Sequence, residues 1–193
     1  MSPLLEKQNQ KIANILEATL QVMDEFGFEG SSMALIAEKS NVAAGTIYRY
    51  FKNKEDLLNA LYKETLTNLV ENLNFLAIEG STIRNKYKTL WTKVLHFHIK
   101  YPQKVKFIAF HYYSPAITNE ARSAMRNLFM PIRIFFQQAI EQEVLKNLPI
   151  PMLISFTMGP IHYLSEAHKV GRMELNEANE ELAFQASWDA LKY

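Results

Sequence analysis

Residues 42–58 read VAAGTIYRYFKNKEDLL. Ile47 and Phe51 stand four apart, one turn of a helix, and so share a face. With that pair turned inward, Ala44, Thr46, Tyr48 and Tyr50 fall on the other face and Arg49 to one side. Two tyrosines and an arginine are poor core material and an unusual plain surface. Lys52 and Lys54 follow at once, and Asn53 with Asp56 forms an Asn-x-x-Asp capping pattern for the next helix. The stretch therefore reads as a short helix, a tight turn and the start of a longer helix, with a polar aromatic face left over.

The segments before it complete a small module. Ile12, Ile15, Leu16, Thr19, Leu20, Met23 and Phe26 recur at three and four, the pattern of an amphipathic helix. GFEG ends that helix, with Gly27 suited to a left-handed C-cap, and Ser31 and Ser32 can cap a second helix over MALIAEKS. Only a few residues separate the second helix from the third, which is helix-turn-helix spacing. Ile36, Ala37, Val42, Ile47 and Phe51 can close a core against the first helix. Ala43 stands where a capping Ser or Thr is expected, and alanine cannot cap.

Charge singles out the same place. The 193-residue chain has a formal net charge of only +1, so any nucleic-acid surface must be local. Between residues 39 and 54 there are four basic residues, Lys39, Arg49, Lys52 and Lys54, and no acidic one. Ala44 and Gly45 are small enough for a close approach to a groove, and the amide ends of the second and fourth helices suit phosphate. The alternative is a packing unit with a solvated basic turn.

The remainder is also helical. No stretch alternates with period two, and Gly and Pro are few, at 6 and 7. Leucines from Leu57 to Leu76 carry a fourth helix to Gly80. Further helices are expected over 82–101, over PQKVKFIAFHYYS, over about 118–148 with a kink at Pro131, over PMLISFTMGPIHYLSEAHKVG with an interruption at Gly159-Pro160, and from Asn176 to Leu191. The expectation is an all-α protein of about nine helices. A small module, residues 1–53, precedes a larger helical domain, residues 54–193.

Several function classes fall away. There is no cysteine, so disulfide and thiolate chemistry are excluded. The polar start MSPLLEKQNQKIANIL lacks an apolar export core, and no apolar run reaches spanning length. His96, His98, His111, His162 and His168 form no HExxH or close carboxylate cluster, so no metal site is expected. No nucleophile–base pair and no Gly-rich phosphate loop is recognisable, so neither catalysis nor a cofactor is expected.

The stretch 15–62, ILEATLQVMDEFGFEGSSMALIAEKSNVAAGTIYRYFKNKEDLLNALY, resembles the DNA-binding domain of the TetR family of transcriptional regulators. The shared pattern is Phe26-Gly27, Ser31-Ser32, Ile36-Ala37, Gly45-Thr46-Ile47-Tyr48-Arg49-Tyr50-Phe51 and Lys54. It covers about a quarter of the chain. The family often carries Ser or Thr at the position of Ala43, and this chain departs from that pattern. The resemblance implies an all-α homodimer on a palindromic double-stranded DNA operator, a repressor released when a small molecule enters the C-terminal domain. It implies phosphate contacts from Thr46, Tyr48 and Lys54, with Tyr48 near base edges, and places Ala44, Gly45, Arg49 and Tyr50 on or beside the recognition surface. Ser31 and Ser32, at the amide end of the second helix, complete the expected DNA-contact set. A cytoplasmic, nucleoid-associated location in a bacterium follows, with no membrane partner.

The C-terminal part carries no motif from the family. Trp91, Phe107, Phe110, Tyr113, Met125, Phe129 and Phe156 can line an apolar pocket for an unidentified small effector, with His111 giving one polar contact. The same side chains can equally fill a core. Ile154, Met158, Ile161, Leu182, Ala186 and Leu191, on the last two helices, are the expected joining surface of a dimer. Two other classes remain open: a helical protein-interaction or RNA-docking protein, and an enzyme that uses the C-terminal cavity.

Overall fold

A computed structural model describes residues 3–74 and 82–193. Among the described residues there are ten helices: α1 (Pro3–Gly30), α2 (Met33–Ser40), α3 (Ala44–Tyr50), α4 (Lys54–Leu73), α5 (Ile83–Lys100), α6 (Pro102–His111), α7 (Asn119–Leu128), α8 (Met130–Glu141), α9 (Ile150–Lys169) and α10 (Glu177–Leu191). The only extended pairing among the described residues is a single antiparallel bridge, Leu145 with Lys192. The fold is all-α, in line with the absence of period-two patterning. The expected run of the fourth helix beyond Asn74 to Gly80 lies outside the described residues.

The chain divides into two compact units, Met1–Thr67 with Gln103–Met125, and Asn68–Pro102 with Arg126–Tyr193. In the first unit α1 packs on α2, and α2 on α3. Its core gathers Ile15, Leu20, Ile36, Ile47, Leu58 and Tyr62 at 2% exposure or less. Asn59 ties the loop after α6 to α4. Its amide donates to the Ala116 carbonyl at 2.9 Å and its oxygen accepts the Thr118 amide at 2.9 Å. In the second unit α5, α9 and α10 pack on one another and α8 on α9. Tyr87 and Trp91 meet Phe184 there, and the Tyr87 hydroxyl is shared with Thr157 at 3.1 Å and Ser187 at 2.8 Å.

Two expectations about proline change. The single helix expected over 118–148 is two, α7 and α8, broken at Phe129, and the second ends at Glu141. Pro131 has no N–H, and its ring would collide with the carbonyl four residues back, so it sits in the first turn of a new helix, where that N–H is not needed. Gly159-Pro160 does not interrupt α9, which runs through it. Leu153, Thr157, Ile161 and Ser165 are buried on either side, and that packing holds the helix across one missing hydrogen bond.

Candidate nucleic-acid interface

The reading module is assembled by short-range hydrogen bonds. Ser32 caps α2, its hydroxyl accepting the Leu35 amide at 3.1 Å. Asn41 ends α2 in the left-handed region, φ 53° and ψ 37°, which asparagine tolerates better than most residues. Its amide returns to Glu38 and that of Val42 to Ala37, both at 3.2 Å. A three-residue turn thus separates α2 from α3. Ala43 gives α3 no side-chain cap, as its methyl group requires.

α3 faces as its spacing predicts. Ile47 is fully buried and Phe51 is 6% exposed, while Tyr48 is 54% exposed. Ala44, Gly45 and Arg49 are exposed, and Thr46 is half-buried. Tyr50 is also half-buried, its ring leaning on Phe51 at 6.4 Å between centroids. The next helix starts with half of the expected capping box. Asn53 accepts the Asp56 amide at 2.7 Å, whereas Asp56 reaches back to the Lys52 amide at 3.0 Å rather than to Asn53.

Two members of the expected contact set point elsewhere. Ser31 is 2% exposed and its hydroxyl donates to the Gly27 carbonyl, so it braces the turn after α1 and presents no oxygen to a duplex. Lys54 is half-buried. Its ammonium donates to the Phe28 carbonyl at 2.8 Å and lies 4.3 Å from the centre of the Phe28 ring. Gly27 allows this: with φ 68° and ψ 177° it occupies a region essentially reserved for glycine, and α1 turns there rather than at a left-handed cap. Lys54 is thus a clasp between the start of α4 and the end of α1. The sequence shows a lysine at the right place but not the carbonyl and ring that claim it.

The expected effector residues are not one group. Phe107, Phe110 and His111 come together on α6, against the end of α1. Met125 accepts a hydrogen bond from the Tyr62 hydroxyl, and Tyr113 is 85% exposed. Trp91 is fully buried in the core of the second unit, so there it is core rather than lining, and its indole N–H has no partner among the described residues. Phe129 sits half-buried at the break before α8, and Phe156 is 47% exposed on α9. Of the expected joining residues, Ile154, Met158, Leu182 and Ala186 keep exposed surface. Ile161 and Leu191 are fully buried and belong to the unit's own core. Sequence reasoning missed Met152 and Tyr163, 44% and 77% exposed, which with Phe156 make a stripe along α9. Their spacing of four and seven was the available signal.

Comparison with known proteins settles the class. Residues 82–192 match the family described as "Tetracyclin repressor-like, C-terminal domain", and residues 15–61 match "Bacterial regulatory proteins, tetR family". The chain belongs to the TetR family of transcriptional regulators. Among solved structures, a TetR-family regulator from Marinobacter aquaeolei VT8 aligns with a TM-score of 0.90 at 23% identity, covering 97% of this chain and 98% of that one. A TetR-family regulator from Haemophilus influenzae Rd aligns at 0.82 with 24% identity, covering 97% and 99%. These show the fold. Among curated relatives, the fatty acid metabolism regulator protein of Bacillus subtilis is 35% identical over 95 residues, 49% of this chain and 48% of that protein. The HTH-type transcriptional repressor KstR of Mycolicibacterium smegmatis is 43% identical over 60 residues, 31% and 29% of the two chains. The matched stretches thus span about half the length of these curated relatives or less. As a TetR-family member, the chain carries its helix-turn-helix on α2 and α3. No helix among the described residues is long and apolar enough to cross a membrane.

Proposed function

We propose that this protein is a sequence-specific DNA-binding repressor that acts as a homodimer on a palindromic operator and is released by a small, largely apolar effector. The observation that carries the reading is the two-sided α3. Ile47 and Phe51 fix it to its module, and Gly45, Tyr48 and Arg49 face outward. A short helix so held can enter a major groove with its first residues at the base edges. Lys39 and Lys52 are exposed on the same module and suit the phosphate backbone. In this reading residues 1–53 read DNA and residues 54–193 regulate and join the protomers, in the cytoplasm and without catalysis.

One α3 touches only a few base pairs, too few to select a site in a genome, so two copies are required. The exposed stripe Met152, Phe156 and Tyr163 on α9, with Leu182 on α10, is the surface we assign to the second copy. The naming of the M. smegmatis relative as a repressor supports the sign of regulation, and that of the B. subtilis relative as a regulator of fatty acid metabolism fits an apolar effector. The test is a titration of the protein's own upstream DNA against a scrambled duplex of equal length at fixed salt. Binding at least about a thousandfold tighter to the former is expected. Equal affinity for both leaves the module as a protein- or RNA-docking surface and overturns the proposal.

A further inference from the structure

α3 presents one line of residues straight away from its module. Ile47 is fully buried, and Arg49 follows it by two positions, a rotation of about 200° around the helix axis. Gly45 stands one turn before Arg49 on the same line, and both are exposed. Arg49 therefore occupies the centre of the outward face rather than one side of it. Thr46 and Tyr48, the neighbours of Ile47, flank that line. Tyr50 leans back on Phe51 and is half-buried. Arg49 is also uncommitted. Its guanidinium makes no hydrogen bond, ion pair or ring contact among the described residues, whereas the Lys54 ammonium is spent on the Phe28 carbonyl. Gly45 gives the line room, because a Cβ there would meet no described atom within 4 Å. Helical side chains lean toward the N-terminal end of their helix, so a long side chain at position 49 covers the first turn of α3. The first turn is the part of a recognition helix that meets base edges.

The chemistry of that side chain selects a base. A guanidinium is a planar fork of donors with no acceptor. In the major groove only guanine shows acceptors side by side, O6 and N7. Adenine sets a donor beside its N7, cytosine shows a donor, and thymine shows O4 beside a methyl group. α3 carries a single arginine and no lysine, asparagine or glutamine, so no other side chain on it makes a bidentate contact of this kind. We propose that Arg49 reads a guanine in each half-site of the operator, its guanidinium donating to O6 and N7 of that base. The inference rests on the DNA-binding reading above and leaves the phosphates to the exposed Lys39 and Lys52.

The experiment selects duplexes from a randomised pool with the full chain. The enriched palindrome is then synthesised with guanine, adenine or 7-deazaguanine at each enriched guanine. In the wild type, adenine at the Arg49 position should weaken binding about 5- to 150-fold per half-site. 7-Deazaguanine, which lacks the N7 acceptor, should weaken it at the same position. Arg49→Ala should bind the guanine and adenine duplexes within about twofold of each other and keep the wild-type preference at the remaining positions. Arg49→Lys restores the charge without the fork, so it should recover the salt dependence and not the full discrimination. A guanine preference that survives in Arg49→Ala, an enriched site without guanine, or 7-deazaguanine bound as guanine at every position overturns the proposal and leaves the regulator reading standing. A loss in Arg49→Ala that is uniform across sequences and restored by Arg49→Lys makes the residue a phosphate contact, which also overturns it. A wild type that enriches no sequence refutes the regulator reading itself. Arg49 touches nothing in its module, so both variants should melt with the wild type, and the 7-deazaguanine comparison needs no variant.

Discussion

Gly45→Ala separates folding from DNA reading in one substitution. Gly45 is the second residue of α3, and a Cβ added there meets no described atom within 4 Å. Its φ lies outside the left-handed region, so alanine is not strained. Exchanging glycine for alanine within a helix is worth about 0.5–1 kcal/mol, and less so near a helix end. The melting midpoint should therefore stay level or rise slightly. If the start of α3 lies at van der Waals distance from a groove, the same methyl group must be accommodated in a packed contact. Overpacking costs about 1–3 kcal/mol, which is roughly 5- to 150-fold in affinity per half-site. Fluorescence anisotropy of a labelled operator and thermal melting, run on one preparation at fixed salt, give both numbers. Operator affinity within about twofold of wild type, with an unchanged melting curve, would show that α3 does not approach DNA by its first turn. A clear drop in melting temperature would refute the open space assigned beside Gly45.

Tyr48→Phe keeps the ring and removes an outward hydroxyl, so it should leave melting unchanged and weaken operator binding by at most about 1.5–3 kcal/mol; wild-type affinity excludes the hydroxyl contact. Lys54→Ala removes the bond to the Phe28 carbonyl and should cost up to about 1.5–3 kcal/mol of stability, read by denaturant titration; an unchanged midpoint refutes the clasp. Phe156→Glu puts a charge in the exposed α9 stripe and should leave a folded monomer by sedimentation at micromolar concentration, whereas a monomeric wild type there refutes the dimer. His98 and His111 are both held below the ordinary histidine pKa, chiefly by burial, while the unfolded chain takes up protons near pH 6.5. Their contribution to stability is therefore complete above about pH 6.5 and is lost as the pH falls below it, so the melting midpoint should drop between pH 7 and 5; a flat or rising midpoint refutes their neutral burial.

What the sequence makes legible here is local. Ile47 stands on α3 and Phe51 caps its end four residues on, so their shared burial is legible in their spacing. Ser32 and Asn53 act through amides three residues away, and such caps are found in the same way. What the sequence hides is which partner wins. Ser31 has the composition of a cap beside Ser32, yet its hydroxyl goes back to Gly27. Trp91 and Phe107 are equally aromatic and equally periodic, but one closes the core of the second unit and the other lines a cleft in the first. The last helices show the same limit. α9 has two apolar faces, and the inward one, with Leu153 and Ile161, masks the outward one, with Met152, Phe156 and Tyr163. Periodicity finds a face; it does not say which side of the helix meets the chain's own core.

His111 shows why the missing part matters. Its aromatic neighbours Phe107 and Phe110 mark it out in the sequence as a pocket histidine, but the opposite wall comes from Leu20 and Met23, more than 80 residues earlier in the chain. Only the folded unit brings α6 against the helix that precedes the reading module. That placement changes the mechanical requirement on a regulator of this kind. A signal that starts on α6 need not cross from one compact unit to the other to reach α1, because residues 103–125 and residues 1–67 already belong to the same one. It has only to move Phe28, and Phe28 holds Lys54 by its carbonyl and by its ring. A clasp made of one charge-assisted hydrogen bond and one cation–π contact is worth a few kcal/mol, about the size of a typical coupling free energy between two sites. It seats the start of α4 on the end of α1.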